Sequence, residues 1–198
     1  MEFRHPFTAI VAGPTGCGKT QFVLQFIRYA NEIVNPPPQN IMWCYGAFQD
    51  VFRTVKNVEF HDGIPEIDTL KRRTLLILDD LMGEADERVN DIFTKHSLHK
   101  DVSVLFLSQN LFHKKSRTMT LNSHYLVLFK NPRDASQMSY LARQMYPGKS
   151  KFMIDAFADA TAQPYSYLVV DLKADTEDKL RLRSGIFPGQ TQFVYVQR

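Results

Sequence analysis

The segment Gly13-Pro14-Thr15-Gly16-Cys17-Gly18-Lys19-Thr20 meets every fixed position of the pattern G-x-x-x-x-G-K-[ST], and it constrains the fold more than any other part of the chain. It follows the apolar run Phe7-Thr-Ala-Ile-Val-Ala12. It precedes Lys19 to Ile33, where Phe22, Val23, Phe26, Ile27, Ala30 and Ile33 recur at helical spacing. Strand, glycine loop and helix in that order are the context in which the pattern binds phosphate. Gly13, Gly16 and Gly18 let the backbone turn its N–H groups inward, and the helix N-terminus adds further donors for an anion. Lys19 supplies a point charge for β- and γ-phosphates, and the Thr20 hydroxyl is placed to coordinate Mg²⁺. Pro14, Thr15 and Cys17 fill the free positions of the loop; a helix terminus nearby favours a thiolate, but Cys17 is expected to be a tolerated small residue rather than a functional thiol. From average residue frequencies, a chance match in a chain of this length has odds under about 1%.

The rest of the sequence predicts an α/β fold. Strands are expected at Ile41 to Tyr45, Val58 to His61, Leu75 to Leu78, Val102 to Leu107 and Tyr125 to Phe129. Several are apolar on both faces, which indicates a mostly parallel central sheet flanked by helices. Pro36-Pro37-Pro38 stops the first helix, and helical spacing returns over Ala85 to Leu98, Arg133 to Met145 and Ser150 to Ala160. Tyr165 to Leu172 and Gln192 to Val196 are expected strands that extend the sheet or add an edge hairpin. We expect one domain over residues 1–198, with a core of about 5–147 and a C-terminal helical and β extension of about 148–198.

Composition narrows the class by exclusion. A hydrophobic content of 44% with 23% charged residues, and no repetitive tract, excludes a disordered, collagenous or repeat protein. The longest apolar runs fall far short of the roughly 18 residues of a membrane span, so a soluble protein is expected. Met1-Glu2-Phe3-Arg4-His5 leads almost at once into a strand, which gives no room for a signal peptide, and export is not expected. Cys17 and Cys44 make neither a CxxC pair nor a zinc spacing, as suits a reducing compartment. The formal charge of +3 permits contact with nucleic acid without requiring it.

Two further strand ends carry candidate chemistry. Leu75-Leu-Ile-Leu-Asp79-Asp80 ends a buried strand in two carboxylates: Asp79 to hold Mg²⁺ through water, Asp80 to orient or deprotonate the attacking water. Val102-Ser-Val-Leu-Phe-Leu-Ser108-Gln109-Asn110 ends in polar groups, and Gln109 is the candidate sensor of the γ-phosphate, because an amide donates and accepts hydrogen bonds without changing charge. Between the phosphate loop and Asp79 lie the strands at Ile41 to Tyr45 and Val58 to His61. An inserted strand argues for the ATPase branch that carries its own catalytic acid, and against simple nucleotide kinases. No [NT]-K-x-D occurs near these strands, which disfavours a guanine-specific switch.

Four segments in order, Gly-Pro-Thr-Gly-Cys-Gly-Lys-Thr, Leu-Leu-Ile-Leu-Asp-Asp-Leu, Val-Leu-Phe-Leu-Ser-Gln-Asn-Leu-Phe and Leu-Val-Leu-Phe-Lys-Asn-Pro-Arg-Asp, give the chain a narrower likeness. It resembles the FtsK/HerA superfamily, in particular the poxvirus-like genome-packaging ATPases of double-stranded DNA viruses and Polinton-like elements. The resemblance covers nearly the whole chain. It implies a RecA-like core, ATP and Mg²⁺ as cofactors, and a homo-oligomeric ring of about five or six subunits. It also implies hydrolysis that drives double-stranded DNA into a preformed capsid, with capsid proteins at the packaging vertex as partners. The expected location is intracellular in an infected host cell, nucleus or cytoplasm being left open, or with the virion.

A ring ATPase of this kind places a cation from one subunit against the γ-phosphate of its neighbour. In the resembled family a basic residue precedes the sensor strand, and Lys100 stands there, after His96 and His99. A lysine cannot donate an arginine's forked pair of hydrogen bonds, so Arg117 and Arg133 are rivals, with Arg117 in His113-Lys-Lys-Ser-Arg117-Thr118 preferred. Lys71-Arg72-Arg73, Lys114-Lys115 and Lys179-Leu-Arg181-Leu-Arg183 are candidate contacts to a DNA backbone, which would give affinity without sequence specificity. His61, His96, His99 and His124 lack metal-site spacing and are expected on the surface or as satisfied core residues. Two rival functions share the loop: a small-molecule nucleoside or nucleotide kinase, and a slowly hydrolysing, nucleotide-dependent assembly module.

Overall fold

A computed structural model describes residues 1–81, 86–93, 97–111 and 117–197, with the side chains of residues 86, 87, 98, 117 and 118 outside that description. The chain opens with β1 (Phe3–Arg4), β2 (Thr8–Ala12), α1 (Lys19–Ile33), β3 (Val34–Asn35), β4 (Asn40–Tyr45), β5 (Glu59–Asp62) and β6 (Thr74–Asp79). It continues through α2 (Asp86–Asp91), α3 (Ser97–His99), β7 (Val102–Ser108), α4 (Arg117–Leu121) and β8 (Tyr125–Phe129). The last part holds α5 (Ser136–Met145), α6 (Ser150–Ala160), β9 (Tyr167–Asp171), β10 (Leu182–Ser184) and β11 (Phe193–Tyr195).

Nine strands form one sheet in the order β11-β10-β9-β8-β2-β7-β6-β4-β5. The six from β8 to β5 run parallel, and β9, β10 and β11 add on antiparallel beside β8. Every residue of β2, β6, β7 and β8 is buried, as central parallel strands covered on both faces require. Strand alternation splits their side chains between two cores. Ala9, Val11, Leu75, Ile77, Leu105 and Leu107 pack with Phe22, Val23, Phe26 and Ile33 of α1. Ile10, Ala12, Leu76, Leu78, Val104 and Phe106 pack with Val89 of α2, Leu141 of α5 and Met153 and Ala156 of α6.

The strand inserted between the phosphate-loop strand and the Asp79 strand is β7, not either of the two that intervene in sequence. β4 and β5 continue outward from β6 to the sheet edge. Burial decides the placement: β7 offers seven buried residues, whereas β5 is half-buried at Phe60 and His61 and exposed at Glu59 and Asp62, which suits an edge.

The C-terminal extension joins the same sheet. β9 pairs with β8 from Tyr125 opposite Asp171 to Phe129 opposite Tyr167. β10 was not expected; it grows from the end of the basic run at 179–183, and its buried residues are Leu182 and Ser184. The small parallel pair β1–β3 also escaped the sequence, and it seats the Phe3 ring 5.0 Å from Phe26 and 4.6 Å from Tyr125. The helix expected over 85–98 is α2 and α3, with 94–96 outside the described residues. α5 starts at Ser136 rather than Arg133 because Asn131 to Asp134 form a turn closed by Asp134 N–H donating to Asn131 O (3.3 Å). No helix among the described residues is long and apolar enough to cross a membrane.

Candidate functional site

The phosphate loop is pinned to the sheet at its first residue. Gly13 N–H donates to Ser108 O at the end of β7 (3.0 Å). A side chain at Gly13 would stand 2.6 Å from Cys17 Sγ and 2.7 Å from Phe129 Cβ, so only glycine allows this approach. Gly18, at φ +110°, turns the chain into α1. Among the described residues no side chain caps that helix and no acidic residue lies in its first turn, so no carboxylate competes with an anion there. The Lys19 ammonium donates to Gly13 O (2.6 Å) and Pro14 O (3.1 Å), and so is held at the mouth of the loop. Burial raises the Cys17 thiol above its ordinary pKa against the opposing charge of Lys19. Desolvation thus outweighs the helix terminus, in keeping with a tolerated small residue at Cys17 rather than a functional thiol.

Asp79 ends β6 with only 7% of its surface exposed. Burial pushes its carboxyl pKa up; the Asp80 charge adds to the shift, and Lys19 opposes it. The Trp43 indole N–H also opposes the shift but does not reach hydrogen-bond geometry, and it stays unpaired in the core. Gln49 Nε2 donates to Asp79 Oδ2 at 3.4 Å. A buried carboxylate with one long hydrogen bond is a group whose charge a cation would stabilise. Asp80 follows in the left-handed region at φ +55° and is exposed at the rim. Gly46 N–H donates to Asp79 O (3.1 Å), and a side chain at Gly46 would stand 2.5 Å from Asp80 O.

A cleft of about 440 Å³ collects Thr15, Gly16, Gly18, Lys19 and Thr20 of the loop with Asp79, Asp80 and Gln109. These are the carboxyl ends of β2, β6 and β7, the edge where open α/β sheets place their ligands. The loop, the acid pair and the amide are thus brought together as expected, and Thr20 and Asp79 are the pair that would hold Mg²⁺ with a phosphate. Gln49 and Tyr165 line the same cleft and were not foreseen. Gln49 belongs to no pattern. Tyr165 carried a signal in Gln163-Pro164-Tyr165-Ser166, a turn sequence with proline at its second position.

The candidate cations lie elsewhere. Lys100 pairs with Asp68 Oδ1 (2.8 Å) at the opening end of β7, opposite Gln109. Arg133 is exposed in the turn after β8, on the cleft edge of the sheet, and Arg117 begins α4 with its side chain outside the description. Lys19 is the only cation lining the cleft among the described residues. Of the basic clusters, Arg181 donates to Asp178 Oδ1, Asp171 O and Lys173 O, and Arg183 to Leu180 O. Arg72 lies 3.7 Å from Asp101 and Arg73 donates to Pro37 O, while Lys114-Lys115 fall outside the described residues. His124 is half-buried, its Nδ1 accepts from Thr8 N–H (3.0 Å), and burial lowers its pKa. His61 contacts Gly63 O, His99 is exposed, and His96 lies outside the description.

No protein-family profile matches the chain, and no curated protein sequence does. Solved structures do. The chain is similar to the genome packaging NTPase B204 from Sulfolobus turreted icosahedral virus 2, in complex with ATP-gammaS, at 11% identity and a TM-score of 0.56, with 96% of each chain covered. It is similar to a KaiC-like protein, PH0186, from Pyrococcus horikoshii OT3 at 13% identity and a TM-score of 0.46, over 98% of this chain and 91% of that one. The first likeness is one of fold, and with the strand order β8-β2-β7-β6-β4 it makes this chain an α/β protein with the RecA-like P-loop NTPase fold.

Proposed function

We propose that the chain hydrolyses ATP with Mg²⁺ and that hydrolysis drives double-stranded DNA into a viral capsid. The observation that carries the reading is the cleft itself, in which loop, acid pair and amide converge from three adjacent strand ends. Lys19 and the N–H groups at the start of α1 would bind the β- and γ-phosphates. Thr20 and Asp79 would hold Mg²⁺, which shields phosphate charge as the terminal bond breaks. Asp80, exposed at the rim, orients the attacking water and takes its proton, and Gln109 hydrogen-bonds the terminal phosphate. The packaging role draws on the four-segment resemblance to viral packaging ATPases. It draws also on the fold shared, over 96% of both chains, with a protein described as a genome packaging NTPase.

ATP turnover measured with and without duplex DNA tests this. Wild type should hydrolyse ATP faster with DNA and transfer phosphate to no nucleoside. Lys19→Ala should abolish measurable turnover and weaken nucleotide binding. Asp80→Asn should bind Mg·ATP yet turn over orders of magnitude more slowly. Near wild-type turnover in Lys19→Ala removes the loop assignment, and turnover indifferent to DNA removes the packaging role.

A further inference from the structure

A second cleft, of about 590 Å³, opens beside the first between the start of α1 and the C-terminal extension. Gly18, Gln21 and Tyr165 line both, as a common wall. That wall fixes which part of a nucleotide each cleft would hold. Lys19, Thr20 and the acid pair fit the terminal phosphates and their metal. A triphosphate laid along the first turn of α1 therefore leaves past Gln21 and Tyr165, and what it carries beyond the α-phosphate enters the second cleft.

The chemistry of that cleft suits a nucleoside. Asp159 Oδ2 accepts from Tyr195 OH (2.7 Å), which fixes a carboxylate that can take ribose hydroxyls. Gln190 Oε1 accepts from Tyr167 OH (3.2 Å) and Phe187 N–H (3.3 Å), so its amide nitrogen is held in place with no partner among the described residues. Two aromatic rings stand open to water on the cleft walls, Tyr165 at 69% and Phe193 at 53% exposure. Tyr165 is the more informative. It is the third residue of a turn closed by Ser166 N–H donating to Gln163 O (3.3 Å), and it sits at φ +64°, where glycine would be relaxed. A bulky residue in a left-handed turn is strained, and here it presents its ring to solvent beside Gly18 rather than to a core.

We infer that this cleft is the nucleoside subsite of the ATP site, with Tyr165 stacked on the base, the Gln190 amide facing the base edge and Asp159 taking the ribose hydroxyls. The inference rests on the phosphate-loop reading above and adds the part of the substrate that loop does not contact. It assigns the C-terminal extension a role in choosing the nucleotide.

Titration calorimetry of the full chain with Mg·ATP and with magnesium tripolyphosphate separates the two. Tyr165→Gly should lose about five- to a hundredfold in ATP affinity, the range for one base stacked on one aromatic ring, and should bind tripolyphosphate as wild type does. Its melting temperature should be unchanged or higher, since the left-handed turn is relaxed. Tyr165→Phe should keep wild-type ATP affinity. Wild-type ATP binding by Tyr165→Gly overturns the subsite and leaves the phosphate loop standing. Equal loss of both ligands also overturns it, because Tyr165 would then only support the loop. Wild type that binds neither ligand removes both readings.

Discussion

Asp79 is the residue whose ionisation most directly couples the cleft to solution conditions. Its folded pKa is raised above the ordinary 3.8 by burial, so the folded state binds its proton more tightly than the unfolded chain does. The stabilisation is full below about pH 3.8 and is lost as pH rises through the folded value. Above that folded value the metal-free protein holds a buried carboxylate met by Gln49 at 3.4 Å. Asp79→Asn removes that charge, and should raise the melting temperature of the metal-free protein at pH 7 to 8, with the gain shrinking as pH falls toward 4. With Mg²⁺ and ADP the order should reverse, because only wild type gains from the metal. Melting curves across that range, with and without Mg·ADP, check both signs; a variant whose gain persists at pH 4 would show that packing, not charge, is responsible. Asp79, Lys19 and Thr20 were legible in the sequence because their chemistry is tied to fixed local spacing. Gln49 was not, because it comes to Asp79 from 30 residues away through the turn after β4, and no local pattern marks it.

Between the residue and the fold stands the contact of the β4 exit with the β6 exit. Gly46 lies against Asp80 O so closely that an added methyl would stand 2.5 Å from it, and the neighbour is backbone, which cannot swing aside as a side chain can. Gly46→Ala should destabilise the protein by about 1–3 kcal/mol, the usual range for overpacking. It should also shift Asp80 and slow hydrolysis by an order of magnitude or more, with ATP affinity nearly unchanged because the phosphate loop is untouched. Paired measurements of kcat and of ATP Kd decide this; equal losses in both would place the damage in the loop. The same region shows why some elements were legible and others not. α1, β8 and α6 match their expected bounds because burial and periodicity act within the segment itself. The position of β7 between β2 and β6 was not legible, since strand order is set by competition among strands for the most buried place. β10 was hidden because Arg181 and Arg183, read as candidate contacts to a DNA backbone, make hydrogen bonds within the extension.

At the scale of the whole molecule the cleft is short of positive charge. Lys19 is its only lining cation among the described residues, whereas phosphoryl transfer spreads developing charge over three oxygens. Lys100 is engaged by Asp68 at the far end of β7, and so cannot serve the cleft of its own subunit without leaving that pair and crossing the sheet. If the chain works as the ring its resemblance implies, a neighbouring subunit is a source, and a cation supplied in trans is worth roughly 10³ to 10⁵ in rate, far more than a surface arginine contributes to anything else. Arg117→Ala should therefore bind ATP about as well as wild type, lose DNA-stimulated turnover, and poison mixed rings when doped into wild-type protein. Mixing Arg117→Ala with Lys19→Ala should restore part of the activity, because some interfaces then pair an intact loop with an intact arginine. Turnover measured across mixing ratios gives the answer. If Arg133→Ala or Lys100→Ala complements Lys19→Ala and Arg117→Ala does not, the shared site stands with a different residue in it. Arg133 is the sterically simpler of those two, since its turn already lies on the cleft edge of the sheet. If none of the three complements, each subunit completes its own site, and a ring motor that fires its subunits through their neighbours is not what this chain builds.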